Sequence, residues 1–216
     1  MSRPLISLAL WLVFAGIAFG WRTVMQVRRY GDSGWRFSRD APTLERIVQL
    51  LFVLSIAMAF AAPVAALVAG EAHLPGGASG MSDDSTAASV AGALGVAAMV
   101  AGSVLAVVAQ LHMGESWRIG VDEGETTDLV TGGLFAWVRN PIFTGMLLAV
   151  MGGALLVPNA VSAVCLVLSV ISLQAQVRRV EEPYLMTVHG EPYRRWAATT
   201  GRFVPGLGRL SAPGPG

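Results

Sequence analysis

Apolar residues in this chain come in long runs rather than in the alternating or one-faced patterns of a soluble domain. Five runs stand out, at residues 5–21, 47–69, 87–111, 142–157 and 160–177. A helix needs roughly 20 mostly apolar residues to cross a bilayer. Each run therefore predicts a transmembrane helix, the fourth being the shortest. Pro158 and Asn159 alone join the last two runs, so spans four and five are expected to form a tight antiparallel hairpin. The predicted fold class is all-α, a polytopic membrane protein with about five transmembrane helices and interfacial C-terminal helices. Its organisation is a three-span N-terminal region (1–113, with an Arg-rich loop at 22–46), a C-terminal region (114–208) of loop, hairpin and interfacial tail, and a disordered tail (209–216).

Composition agrees with this reading. Of 216 residues, 54% are hydrophobic and 13% charged, and mean hydropathy is +0.59. Soluble domains carry about 25% charged residues. The distribution of charge says more than the net +1. All fifteen basic residues are Arg. With five spans, every Arg except Arg3 falls on one side, which the positive-inside rule makes cytoplasmic. The N-terminus is then outside and the C-terminus inside. The first run also has features of a signal peptide, but cleavage would leave the Arg-rich 22–46 segment outside, against that bias. An Ala-, Gly- and Arg-rich chain without Lys suggests a GC-rich bacterial genome and hence the bacterial inner membrane. The partners expected are membrane lipids and a lipophilic acceptor, with no nucleic acid and no obligatory protein partner.

Several local features read as structural. Trp21 and Trp35 suit interfacial anchors, and Pro63 a kink in span two. Residues 70–86 form a Gly/Ser-rich external loop with a solvent histidine at His73. Cys165 is a small packing residue. The small residues Gly92, Gly95, Ala98 and Gly102 of span three suit close helix packing, and Gly16 and Gly20 either packing or a dimer face. No metal site is expected.

The stretch "LVTGGLFAWVRNPIFTGMLL" (129–148) places charge at the mouth of an apolar run. Asn140 followed by Pro141 reads as N-cap and first residue of span four. Counting from the bend, Pro141 lies ~26 Å back and Glu181 ~33 Å forward at 1.5 Å per residue. Arg139, Asn140 and Pro141 should thus reach the same membrane face as Glu181 and Glu182. Two carboxylates at a helix C-terminus oppose the helix dipole and call for a compensating cation or donors. A site with both signs of charge suits a zwitterionic ligand, although physics alone does not select which one.

The stretches "DLVTGGLFAWVRNPIFTG" and "EEPYLMTVHGEPYRRW…VPG" resemble the two signatures of the isoprenylcysteine carboxyl methyltransferase and phospholipid methyltransferase families. Leu129, Val130, Thr131, Gly133, Arg139, Pro141 and Gly145 match the first signature. Glu181, Glu182, Leu185, Gly190, Tyr193 and Pro205 match the second. The resemblance covers residues 110–208, about half the chain. It implies an integral membrane methyltransferase that uses S-adenosyl-L-methionine and methylates a lipophilic acceptor, through a carboxylate or amine head group, at the cytoplasmic face. It implies catalytic roles for Arg139, Glu181 and Glu182. Cofactor binding would fall to these three with Leu129, Val130, Thr131, Gly133, Leu134, Asn140, Pro141, Phe143, Gly145, Leu185 and Tyr193. In this picture Arg139 and the exposed N–H groups of span four take the cofactor carboxylate, and Glu181 or Glu182 its amine or ribose. Asn140 replaces the family's His, Phe135 and Phe143 replace Tyr, and Trp196 replaces the last Tyr. These departures remove an imidazole and several hydroxyls but keep the rings. The alternatives are a non-catalytic protein on the same scaffold and a nicotinamide-dependent membrane reductase. The stretch "HMGESW" is a further candidate for the pocket wall.

Overall fold

The structure, a computed structural model, describes residues 1–34, 42–70, 86–117 and 128–211. Trp35, His73 and most of the external loop lie outside the described residues, as do 212–216. Among the described residues six helices follow in order: α1 (Arg3–Tyr30), α2 (Thr43–Ala69), α3 (Thr86–Met113), α4 (Pro141–Leu156), α5 (Ala160–His189) and α6 (Glu191–Thr199). Short 3₁₀ turns cover Gly114–Ser116 and Gly133–Ala136. Among the described residues the β-structure is one isolated parallel bridge, Val138 to Gly201. The architecture is all-α, and α1, α2, α3 and α5 are each long and apolar enough to cross a membrane.

The fourth run is different. Helix α4 has 16 residues, ~24 Å at 1.5 Å per residue, against a hydrocarbon core of ~30 Å. It can be short because folded chain meets its N-terminus. Thr144 Oγ1 donates to Phe203 O at 2.8 Å, and Asn140 N to Arg202 O at 3.1 Å.

The bend between α4 and α5 is as tight as predicted, but neither helix has the other as its main partner. Helix α4 packs chiefly on α3, and α5 on α2. The reason lies in the small residues. A Cβ on Gly145 would run into Gly102 O and Ala106 N, and one on Gly152 into Met99 N and Gly95 O. Gly95 and Gly102 on α3 face Gly152 and Gly145 on α4, one heptad apart on each helix and in antiparallel order. Lipid offers no hydrophobic drive for helices to associate, so close backbone approach decides which surfaces pair. Gly16 and Gly20 meet nothing within 4 Å and lie on the exposed face of α1, so packing within the chain is not their role.

Two π-helical segments, Gly16–Trp21 and Gln176–Glu181, adjust which side chains turn inward. In α1 the buried positions run Pro4, Ser7, Trp11, Phe14 and Ala18, then Arg22 and Gln26. A regular heptad would have continued to Trp21 and Met25. The wider π turn inserts one residue and moves the inward face by one position. Trp21 stays on the surface and Arg22 is buried. Arg22 was expected among the cytoplasmic surface charges. Instead its Nη2 donates to Gly114 O at 2.7 Å, its Nη1 to Gln26 Oε1 at 2.6 Å, and its guanidinium lies 4.5 Å from the Trp117 ring centre. It satisfies carbonyls at the C-terminal end of α3, where a cation is favoured.

Candidate active site

Five elements converge around the start of α4. The 3₁₀ turn Gly133–Ala136 leads through Trp137 and Val138 into Arg139 and Asn140, where the chain pairs with the tail: Arg139 N donates to Gly201 O at 2.8 Å. Pro141 is the first helical residue, as predicted. Asn140 does not cap through its side chain, contrary to expectation; its Nδ2 donates to Arg202 O at 3.1 Å. The first intrahelical bond runs from Thr144 N to Asn140 O at 2.9 Å. The N–H groups of Ile142 and Phe143 therefore lie ahead of any acceptor in their own helix.

The second π segment works at the C-terminal end of α5. Buried positions step from Leu173 to Val177 and then to Glu182. The last step spans five residues, the π spacing, and it separates the two acids. Glu182 turns into the protein. Its Oε1 accepts from Arg139 Nη2 at 2.7 Å and Arg202 Nε at 2.8 Å, and its Oε2 from Arg202 Nη2 at 2.9 Å. Arg139 also donates to Ala197 O, Thr200 O and Gly208 O at 2.9, 2.5 and 3.0 Å. Both side chains are buried, and this network anchors the tail beneath α4. Tyr193 packs beside it, edge-on to Trp196 with ring centres 5.7 Å apart. Burial, reinforced by the negative charge of Glu182, pushes the Tyr193 hydroxyl up to about 12.

Glu181 instead faces a cavity of about 190 Å³ bounded by all six helices and the 128–135 segment. Gln176 Nε2 donates to Glu181 Oε1 at 3.4 Å. Of the residues singled out by sequence, Leu129, Val130, Arg139, Asn140, Pro141, Phe143, Glu181 and Leu185 line this cavity. Others lie off it. Thr131 is exposed and Leu134 half-buried in the 3₁₀ turn. Gly133, with φ +60°, passes so close to the His112 ring that a Cβ would sit 2.9 Å from it. Gly145 belongs to the α3–α4 seam, and Glu182 and Tyr193 to the ion network. Of "HMGESW", Met113, Ser116 and Trp117 reach the cavity. Sequence reasoning missed Phe19, Gln49, Phe52, Gln110 and Gln176 in the wall, and Arg202 in the network. The wall residues of α1 to α3 carry no motif that would have marked them. Arg202 was counted as one more positive charge, because nothing local marks it as bidentate to Glu182.

These features define an integral membrane protein whose largely apolar cavity, with Glu181 and the helix N-terminus at one side, opens where a short apolar helix begins. The comparisons specify it further. The family model for phospholipid methyltransferase matches residues 90–192, a little under half of the chain. The fold matches the solved structure of a eukaryotic intramembrane Ras methyltransferase, isoprenylcysteine carboxyl methyltransferase, with a TM-score of 0.54 at 18% identity. The match covers 92% of this chain and 64% of that one, so the chain spans about two thirds of the solved enzyme's length. No curated protein sequence matches the chain.

Proposed function

We propose that the protein is an S-adenosylmethionine-dependent methyltransferase acting on a lipophilic acceptor at the cytoplasmic face of a bacterial inner membrane. The observation that carries this reading is that the uncapped N-terminus of α4 and the Glu181 carboxylate open onto one cavity. The N–H groups of Ile142 and Phe143 suit the cofactor carboxylate. Glu181 suits its ammonium group or ribose hydroxyls. Phe135, Phe143 and Trp196 offer rings for the adenine. The donor set therefore fits the cofactor, and when bound it supplies an electrophilic methyl group on sulfur. Arg139 and Glu182 are already engaged with each other and with the tail, so they act by positioning Asn140, Pro141 and Glu181. For an amine acceptor, Glu181 is the carboxylate placed to receive the displaced proton, whereas a carboxylate acceptor needs no base. The apolar wall of Phe19, Phe52, Met146 and Leu173 suits an acceptor held in lipid and keeps water from the reacting groups.

Arg28 and Arg29 in the last turn of α1, Arg46 in the first turn of α2, and Arg178 and Arg179 in the π segment of α5 all lie toward the cavity end of the bundle, which supports the cytoplasmic assignment. Isothermal titration of the folded protein with S-adenosylhomocysteine tests the reading. The wild type should bind. Glu181→Gln should weaken binding roughly 10- to 100-fold, the range for a hydrogen bond to a charged group. Absence of binding by the folded wild type would overturn the proposal.

A further inference from the structure

A second, narrower cavity lies deeper in the bundle, among α1, α2, α4 and α5. It shares Phe19, Phe52, Met146 and Leu173 with the first, so one ends where the other begins. Its far end is closed by aromatic rings: Trp11 stands 6.1 Å from Phe14 and 6.3 Å from Phe60, centre to centre. The polar side-chain groups in its wall are the hydroxyls of Ser55 and Ser169 and the indole N–H of Trp11, and Ser55 Oγ already donates to Phe52 O at 2.8 Å. The other ten wall residues are apolar, and a buried water needs two to four polar partners grouped within its reach. The occupant it fits is apolar.

The depth is informative. The larger cavity starts at Asn140 and the deeper one ends near Val150, ~15 Å further along α4 at 1.5 Å per residue. That is about half of a ~30 Å hydrocarbon core. The two adjoining cavities, parted by the four shared side chains, are together polar at one end, apolar at the other and one leaflet deep, which is the shape of a single-leaflet amphiphile.

We propose that the acceptor's hydrocarbon chain enters this deeper cavity, and that Trp11 and Phe60 set the longest chain the protein accepts. This rests on the reading of the larger cavity as the cofactor and head-group site. A chain already in lipid gains little from burial in an apolar pocket. Selection therefore comes from fit: a short chain leaves the end empty, and one too long meets the rings.

The test uses the full chain in nanodiscs of a saturated phosphatidylcholine, with fatty acids of increasing length bearing bromine on the terminal carbon. Bromine quenches indole fluorescence on contact. The signal of Trp11 is the difference between wild type and Trp11→Phe, and at 6% exposure its ring is shielded from quencher in the surrounding lipid. Quenching should appear over a limited band of chain lengths, and Ala59→Leu, which fills the cavity, should move that band to shorter chains or abolish it. S-adenosylhomocysteine binding, measured in parallel, should be unchanged by either substitution. Equal quenching at every length, or none at any length, in protein that still binds S-adenosylhomocysteine overturns the chain-length proposal alone. A length-selective quench without that binding would leave the chain site standing and remove the methyltransferase reading.

Discussion

Arg139 and Glu182, 43 residues apart in the chain, meet at 2.7 Å with both side chains out of solvent. The pair is completed by Arg202, so one carboxylate holds two guanidinium groups, and the backbone carbonyls of Ala197, Thr200 and Gly208 accept from the Nη atoms of Arg139, whose buried Nε is left without a partner. A buried pair is weak evidence for net stability, but removing one partner leaves charge uncompensated.

Glu182→Gln should therefore destabilise the protein by roughly 3–5 kcal/mol, because two buried guanidinium groups lose their anion. Thermal unfolding in detergent measures the loss. Limited proteolysis should show cutting within 199–211, which the wild type resists. Glu181→Gln, whose side chain faces the cavity, should leave the melting temperature near the wild-type value. Equal melting of both variants would contradict the separate roles of the two acids.

The seam between α3 and α4 tolerates no side chain at its glycines. Gly145→Val should sharply lower the yield of folded protein, since its Cβ would overlap Gly102 O and Ala106 N. Gly16→Ala and Gly20→Ala meet open space and should be neutral or slightly stabilising, Gly costing about 1 kcal/mol relative to Ala in a helix. Detergent-extracted yield and melting temperature of the three variants decide this.

Arg22→Lys keeps the charge but loses the planar fork that reaches Gln26 and Gly114 O together while stacking on Trp117. It should lower the melting temperature and shift the Trp117 emission. Trp21→Phe, one position away on the exposed face, should change stability little. Reversal of that order would show that the π turn in α1 does not set the inward face as described.

The Tyr193 hydroxyl ionises late. Its folded value of about 12 stands above the ordinary 10.0, so its contribution to stability is complete below about pH 10 and is lost as pH rises toward 12. Tyrosinate absorbance should include a step near the top of the alkaline range, and Tyr193→Phe should remove that step. If the step survives in Tyr193→Phe, the buried phenol lies elsewhere.

Much was legible in the chain because its causes are local. Runs of apolar residues mark membrane helices wherever they occur, and Pro141 starts a helix by its own covalent geometry. The two motif stretches around Arg139 and Glu181 announced a shared site, and the structure brings them together. Other features depend on residues that carry no signal of their own. Gln49, Phe52 and Gln110 enter the cavity wall only because α2 and α3 lie beside α4. The side chain of Asn140 serves the tail rather than its helix, because Arg202 O is the acceptor it meets.

The sequence alone determined that the chain crosses a membrane as helices, where those helices bend, and that Arg139 and the twin acids belong to one end of the bundle. Hydropathy, helix rise and a two-residue connection suffice for that. Only the tertiary structure decided which acid faces the cavity and which is neutralised inside the protein. That choice turns on a single extra residue in a π turn and on an arginine arriving from the far end of the chain, and neither leaves a mark in the local pattern of residues.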